Sequence, residues 1–427
     1  MKSEEFRVLL LKVVDMFPKR LQNIILKTII ETRYLFFKLK FRFRARKNIV
    51  DPTKIYWIDP KRITKCLSPE DRKGYFNSEK IRGTIVDGNW DKTNYEFINV
   101  IDVYEAFRKR VKEGIEWQDT KYYKRILTQT KMGNYLYGIK NETALKERCK
   151  YLDSLYENIK NKGYRLNRNI YQKNVTFNEI DVNIGRNGEY IFRDGTHRLS
   201  IAKIIGIKYV PVTVFIRHKK WQEFRNYLQT YAKQLGGQLY QPTIHPDLED
   251  IPHYLGHEDL WKVIKSQLKI ESGGIMLDLG ANIGFWCHMF ENLGYQCYAV
   301  ERDPQLCHIM EKIKTAENKS FQIVESSVFN VGLIKNIQFD VVFALNVFHH
   351  FLKTKETLFK LIDLLENLNT NELYFEHTRF EEDQMKDNYV HFVENDFVNF
   401  ILEHSSLSKS KLLFLTKSGR RVYKLYN

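Results

Sequence analysis

The chain has 427 residues, 43% hydrophobic and 28% charged, with five cysteines and a formal net charge of +16. That length is too great for one compact core, so two or three domains are expected, with the apolar and charged fractions of an ordinary globular protein. No window approaches the ~18–20 uncharged residues that a membrane-spanning helix requires.

The charge is unevenly placed. Residues 1–48 hold 13 Lys/Arg against 4 Asp/Glu, which concentrates +9 in the first tenth of the chain. Apolar groups at Val8–Leu11, Ile24–Leu26, Ile29-Ile30 and Leu35–Phe37 predict helices with an apolar face, closed by the basic and aromatic run Lys38–Arg46. Lysines and arginines interrupt every apolar run and no small-residue cleavage site follows, which is unlike a signal peptide. Two readings stay open: helices packed on the body with a solvated basic face, or an interfacial anchor drawn to an anionic membrane surface. Nucleic-acid contact is a third. Cys66, Cys149, Cys287, Cys297 and Cys307 form no Cys-x-x-Cys pair. They read as buried free thiols in a reducing cytoplasm, with no metal site. The expected location is cytoplasmic, peripheral at the inner face of the membrane if the arm anchors.

Residues 50–236 form a separate unit. Its early part holds Thr84–Asp91, Gly114–Thr120 and a polar helix over Glu142–Asn161. Trp90 and Trp117 read as core, and Asp87 and Asp91 as turn residues rather than metal ligands. Strands over Glu179–Gly185 and Gly188–Arg193 flank an Arg186-Asn187-Gly188 turn, which predicts a hairpin. Asp194-Gly195-Thr196-His197-Arg198 then opens a helix over Leu199–Ile205 that ends at Gly206, and Tyr209–Ile216 is a strand. Such a loop offers free backbone N–H groups, a helix dipole and two side-chain donors at one point, the makings of a phosphate site. This stretch resembles the ParB/sulfiredoxin-like superfamily, whose members carry a Gly-x-(His/Arg)-Arg loop here. Thr196 stands where sulfiredoxins have their catalytic cysteine, so sulfinic-acid reduction is not expected. The closer likeness is to members with Asp-Gly-His-His-Arg, some of them small-molecule kinases. That resemblance implies a smaller α+β domain in which Asp194, Gly195, Thr196, His197 and Arg198 hold a nucleotide phosphate, with magnesium. The structural alternative is that Asp194 and His197 cap the helix and Arg198 pairs with a neighbouring acid.

Prolines 242 and 246 break the helix, which predicts a linker over 237–258 before a helix at Asp259–Ile270. Next, Ile275-Met276-Leu277-Asp278-Leu279 reads as a short apolar strand that runs into the glycine-punctuated turn Gly280-Ala281-Asn282-Ile283-Gly284 and then a helix. A second strand ends at Glu301, a spacing that brings a carboxylate beside the first turn, where it can accept from ribose hydroxyls. Strands at Phe321–Val324, Phe339–Asn346 and Glu372–His377 follow, with a helix over 353–368 and a terminal hairpin of Lys411–Thr416 and Arg420–Tyr426. Alternating strands and helices closed by an antiparallel hairpin predict a seven-stranded, Rossmann-like α/β sheet over 259–427.

This region resembles the class I S-adenosylmethionine-dependent methyltransferases. The resemblance implies that Asp278, Gly280, Ala281, Asn282 and Gly284 face the methionine part and ribose of the cofactor. It implies also that Glu301 binds the ribose diol and that Asn346 borders the transfer site. Asn282 departs from the glycine that many members carry. Ligands sit at strand C-termini in open α/β sheets, so His349, His350, Glu376 and His377 are the catalytic candidates. The expected enzyme methylates a small-molecule or glycan acceptor such as a surface glycan or lipid-linked sugar, and is bifunctional if the middle domain is kinase-like. The alternatives are a nucleic-acid modification or partitioning factor and a non-catalytic S-adenosylmethionine-binding protein. Nucleic acid is disfavoured: the chain shows no helix-turn-helix or zinc module, and Leu345-Asn346-Val347-Phe348 replaces the Asn/Asp-Pro-Pro-aromatic motif of base methyltransferases.

If the arm is an interfacial anchor, full-length protein sediments with anionic vesicles at low salt and a 1–48 deletion does not, since each Lys or Arg near the surface contributes about 1 kcal/mol. Intact protein left in the supernatant would remove the membrane from this reading.

Overall fold

The computed structural model describes residues 50–68, 70–71, 78–167, 179–254, 256–268, 273–330, 336–379, 381–382, 385–392 and 395–427, with scattered positions between 18 and 39. The chain forms two compact units, Met1–Phe224 and Arg225–Asn427. In the arm, the described positions between Leu21 and Leu39 are helical, and Leu21, Ile24, Leu35 and Phe36 are exposed. Residues 1–17 and 40–49, with most of the expected basic run, lie outside the described residues.

The first unit is built on a mixed sheet. Strands β1 (Tyr56–Ile58), β2 (Lys65–Cys66), β3 (Ile85–Val86), β4 (Ile180–Ile184), β5 (Tyr190–Asp194) and β6 (Val210–His218) take the order β1-β6-β4-β5-β2, with β3 also on β6. β4 and β5 are the expected antiparallel hairpin. Helices α1 (Asp102–Glu113), α2 (Lys121–Lys131) and α3 (Glu142–Lys162) precede it, and α4 (Thr196–Ile205) follows β5. Trp90 and Trp117 are buried, and the Trp117 indole donates to Asp153 at 2.9 Å. Asp91 accepts from the backbone and guanidinium of Arg186 at 2.6–2.8 Å, so it clamps the β4–β5 turn.

A buried ion cluster ties the middle of this sheet. Asp181 of β4 has no exposure. It accepts from Arg82 at 2.7 and 3.0 Å, from Arg193 at 2.9 Å and from the Thr213 hydroxyl. Both guanidinium groups also lie over the Phe215 ring, 4.7 and 3.5 Å from its centre, where the ring face attracts the cations.

Helix α5 (Lys219–Gln234) spans the chain boundary between the units. In the second unit, the helices α6 (His257–Gln267), α7 (Phe285–Glu291), α8 (Pro304–Ala316), α9 (Lys355–Asn367) and α10 (Asp396–Glu403) alternate with seven strands. These are β7 (Gly274–Leu279), β8 (Tyr295–Glu301), β9 (Gln322–Glu325), β10 (Val341–Ala344), β11 (Glu372–His377), β12 (Lys409–Leu415) and β13 (Arg421–Tyr426), in the order β12-β13-β11-β10-β7-β8-β9. β7 to β11 are parallel, and β13 runs antiparallel to both of its neighbours, β11 and β12. The central strands are buried on both faces, as a covered parallel sheet requires. On one face Leu277, Val342 and Phe375 meet Leu361 and Leu365 of α9 and Phe397 of α10. On the other, Met276, Phe343 and Tyr374 meet Ile264 of α6 and Trp286 and Phe290 of α7. There Trp286, Phe343 and Tyr374 stack in series, with centroids 5.2 and 5.0 Å apart.

Segment 237–258, expected as a linker, is packed into this unit. Leu239, Gln241, His245, Asp247, Leu248 and Ile251 are buried, and Arg225 pairs with Asp250 at 2.7 Å and Asp247 at 3.4 Å. The helix α5 ends at Gln234, ahead of Gly236 and Gly237 at positive φ, and apolar residues on either side of Pro242 and Pro246 still dock. All five cysteines are buried thiols outside any disulfide.

Removing one partner of a buried ion pair strands the others in low dielectric. Asp181→Asn is therefore expected to destabilise the first unit by about 3–5 kcal/mol in denaturant unfolding. An unchanged midpoint would mean that Glu79, 2.6 Å from Arg82 and 3.1 Å from Arg193, alone neutralises both arginines.

Candidate active site

β7 lies between β8 and β10, where the order of parallel strands reverses, so its C-terminal end opens onto the crevice of the sheet. Gly280 and Ala281 both donate backbone N–H to the Val300 carbonyl at 2.9 Å, which folds the turn back over β8. Gly280 has φ +74°, and a Cβ there would stand 2.6 Å from Val347. Gly284 has φ +84°, and a Cβ there would meet Met310 at 2.8 Å. Asn282 has φ 55°, so its departure from glycine is accommodated because asparagine tolerates the left-handed region.

Glu301 ends β8 and is nearly buried. One carboxylate oxygen accepts from Asn282 N at 2.9 Å, and the other from Arg302 N at 2.8 Å and Asp303 N at 3.0 Å. Three backbone donors therefore orient this carboxylate at the mouth of the turn. Asp278, in register with Ala299 of β8 and Phe343 of β10, is 2% exposed. Its Oδ2 has no hydrogen-bond partner. Burial, and then the charge of Glu301, pushes the Asp278 carboxyl up to about 8. A buried acid with an unpaired oxygen beside a glycine turn fits a ligand that brings its own donors or positive charge.

A second polar group lies at the ends of β10 and β11. Asn346, at φ 58°, donates to Glu376 Oε2 at 2.8 Å and to the Tyr240 hydroxyl, and its carbonyl accepts from Arg420. Arg420 also donates to both oxygens of Glu382, with its Nε at 2.8 Å from Oε1, and stands 3.8 Å from Glu376. Burial pushes Glu376 up to about 7, against the charge of Arg420 and the Asn346 hydrogen bond, with Glu382 adding to the rise. This carboxyl is poised to exchange a proton near neutral pH.

The four catalytic candidates do not converge. His377 follows Glu376 by one residue and so points to the opposite face of the sheet, where its ring meets Phe375 and Phe397. His349 is buried in the turn after β10, and its Nδ1 is 3.0 Å from the Thr378 hydroxyl. His350 stacks on His349 with centroids 4.0 Å apart. Partial desolvation, then Lys353, Arg302 and Arg420, hold the His350 imidazole below its usual value. Glu376 and His377 project from opposite faces of the sheet. Sequence reasoning missed Tyr240, Glu382 and Arg420. None sits in a motif, and only the pairing of His377 with Arg421 across β11 and β13 brings Arg420 to this end.

Residues 277–368 match a family model described as a methyltransferase domain. The second unit carries a methyltransferase domain. No curated protein matches the chain. Among solved structures, the bifunctional kinase-methyltransferase WbdD is similar at 18% identity over 47% of this chain and 46% of that chain, with a TM-score of 0.38. Magnesium protoporphyrin IX methyltransferase from Synechocystis PCC 6803, a structure with S-adenosylmethionine bound, is similar at 14% identity over 48% of this chain and 97% of that chain, with a TM-score of 0.32. The chain spans about half the length of the WbdD structures it matches.

In the first unit, the Asp194–Arg198 loop begins α4 through Gly195 at φ +95°, where a Cβ would stand 2.9 Å from the Ile180 Cα. No side chain caps the helix, and Asp194 turns back to accept from Gly195 N at 2.7 Å. Arg198 pairs with the buried Glu179 at 3.2 Å, so the expected phosphate cation is committed to an acid within the fold. Thr196 is in the first turn of α4, and His197 follows it. Among the described residues, no group of three or more His, Cys, Asp and Glu is placed to hold a metal, and no helix is long and apolar enough to cross a membrane.

Asp278 binds its proton more tightly folded than unfolded, since its ordinary value is 3.8. Between about pH 4 and 8 the unfolded chain has released a proton that the folded chain keeps, so this group makes stability fall as pH rises. Urea midpoints at pH 5 and pH 8.5 are expected to differ less in Asp278→Asn than in the parent. Equal slopes would show that the acid ionises freely.

Proposed function

We propose that the second unit binds S-adenosylmethionine across the Asp278–Gly284 turn and Glu301 and transfers its methyl group to an acceptor held beside Asn346 and Glu376. The observation that carries this reading is the buried, unpaired oxygen of Asp278 next to a turn whose two glycines no Cβ could replace. When bound, the cofactor supplies an electrophilic methyl on a sulfonium. The chain supplies position. Glu301 presents a carboxylate oriented by three backbone donors to a ribose diol, and the glycine turn lets the ligand lie against main-chain atoms. Asn346 fixes Glu376, whose carboxylate, in its ionised form, would take the proton of an acceptor hydroxyl. His349 holds the turn after β10 in place through Thr378.

The acceptor in this reading is a glycan, a lipid-linked sugar or a related small molecule. The first unit would bind a nucleotide or sugar phosphate at the α4 N-terminus, as its ParB/sulfiredoxin-like loop suggests, which makes the protein a candidate bifunctional enzyme. Support comes from the uncapped first turn of α4 and the tight Gly195 approach to β4.

Charged hydrogen bonds contribute about 1.5–3 kcal/mol, so Glu301→Ala is expected to weaken S-adenosylmethionine binding about 10–150-fold by calorimetry. Unchanged affinity would sink the cofactor assignment.

A further inference from the structure

Beside the start of α4, residues of α2, α3 and their connection close a polar cluster that the loop motif itself does not contain. The ring of His197, in the first turn, faces Tyr122 with centroids 6.2 Å apart and Tyr137 at 5.6 Å. The Arg148 guanidinium stands 5.5 Å from the centre of the Tyr137 ring and 5.0 Å from that of Tyr151. Two buried atoms of this cluster make no hydrogen bond, Nε2 of His197 and Nε of Arg148, while the Tyr122 hydroxyl has the Arg148 side chain as its neighbour. Tyr122 is fully buried. Each buried polar group left unpaired costs about 1–3 kcal/mol, so two in one cluster are costly unless a ligand completes them.

The backbone adds an independent observation. Among the described residues, the non-glycine positions with positive φ are three asparagines and Tyr137, at φ 55°. Asparagine tolerates that conformation, whereas for a tyrosine it costs about 1–3 kcal/mol and persists where something else holds it. Packing is a weak reason here, because Tyr137 is 56% exposed. The strained ring leans over His197 and under Arg148, at the edge of the uncapped helix start. Electrostatics agree. Burial, with the charges of Arg148 and Arg198, pushes the His197 imidazole down to about 3, which leaves it neutral. An anion beside Arg148 would relieve that cation and gain the free N–H groups of the first turn.

We propose that the first turn of α4, His197, Arg148 and Tyr122 bind the phosphate of a phosphorylated ligand, and that Tyr137 covers it. This rests on the reading of the loop as a phosphate site, and it moves the recognising cation from Arg198, which Glu179 holds, to Arg148 of α3. The exposed Tyr137 and Tyr151 rings on either side of Arg148 form the rim, a surface suited to a ligand with a planar group next to its phosphates.

The test is calorimetry of the full chain with inorganic pyrophosphate and with ATP, repeated for Arg148→Met and Tyr137→Gly. Arg148→Met is expected to weaken binding at least about tenfold, the loss of one charged hydrogen-bonding partner. Tyr137→Gly relieves the positive φ, so it is expected to keep or raise the melting temperature while weakening ATP. That opposition between stability and affinity is one a purely structural tyrosine would not give. Should Arg148→Met fail to fold, Tyr137→Gly alone decides. Equal affinity for the two probes supports a site that reads phosphate alone, and a preference for ATP supports stacking on the rim. Binding by the parent that both variants leave within about twofold overturns this inference and leaves the loop reading standing. A parent chain that binds neither probe overturns both.

Discussion

The second unit is organised around one carboxyl that the fold leaves without a counterion. Asp278 ends the strand at which the sheet order reverses, and strands on both sides exclude water from it. Ionising it there is costly, and the nearest charge, Glu301, is of the same sign. The surrounding architecture keeps the two acids apart in role. Glu301 is held by three backbone N–H groups and stays oriented, while Asp278 keeps an oxygen unused. Gly280 packs against Val347 and so fixes the distance between the turn after β7 and the turn after β10. A side chain at that position would push apart the two walls of the crevice.

The outer wall has a different logic. Glu376, Asn346, Tyr240, Arg420 and Glu382 form one connected hydrogen-bond network in which a single cation serves two acids. Glu382 takes both arms of the guanidinium, which leaves Glu376 with the longer contact and a carboxyl near neutrality. The antiparallel hairpin is thereby more than a sheet edge. It carries the arginine whose charge opposes the rise that burial imposes on Glu376.

In the first unit, buried charge is used twice with opposite results. The Asp181, Arg82 and Arg193 cluster is satisfied on all sides and holds the sheet. The Arg148, His197 and Tyr122 cluster is satisfied only in part, with Nε2 of His197 and Nε of Arg148 left over. Arg198, which the motif nominates, belongs with the first kind, because Glu179 lies within reach of it and is buried. Chemical type alone does not separate a structural arginine from a binding one, and its neighbours do.

Local pattern was enough for the parallel strands of the second unit. Apolar runs ending at Leu279, Glu301 and His377, separated by helix-length segments, are strands in a covered parallel sheet because no other arrangement buries such runs on both faces. The glycine turn and Glu301 were likewise legible, since their spacing along one β-loop-α-β unit fixes their proximity. Asn282 was legible only as a departure, and the left-handed backbone explains why it is tolerated. Contacts between distant segments were not legible. Strand alternation removes His377 from Glu376, and the register of β11 with β13 brings in Arg420. Folding of residues 237–258 onto the sheet supplies Tyr240, and the α2–α3 connection brings Tyr137 over His197. Sequence fixes periodicity and local turn chemistry, because these depend on neighbours along the chain. Which buried polar groups find partners depends on neighbours in space, and only the tertiary structure decided that.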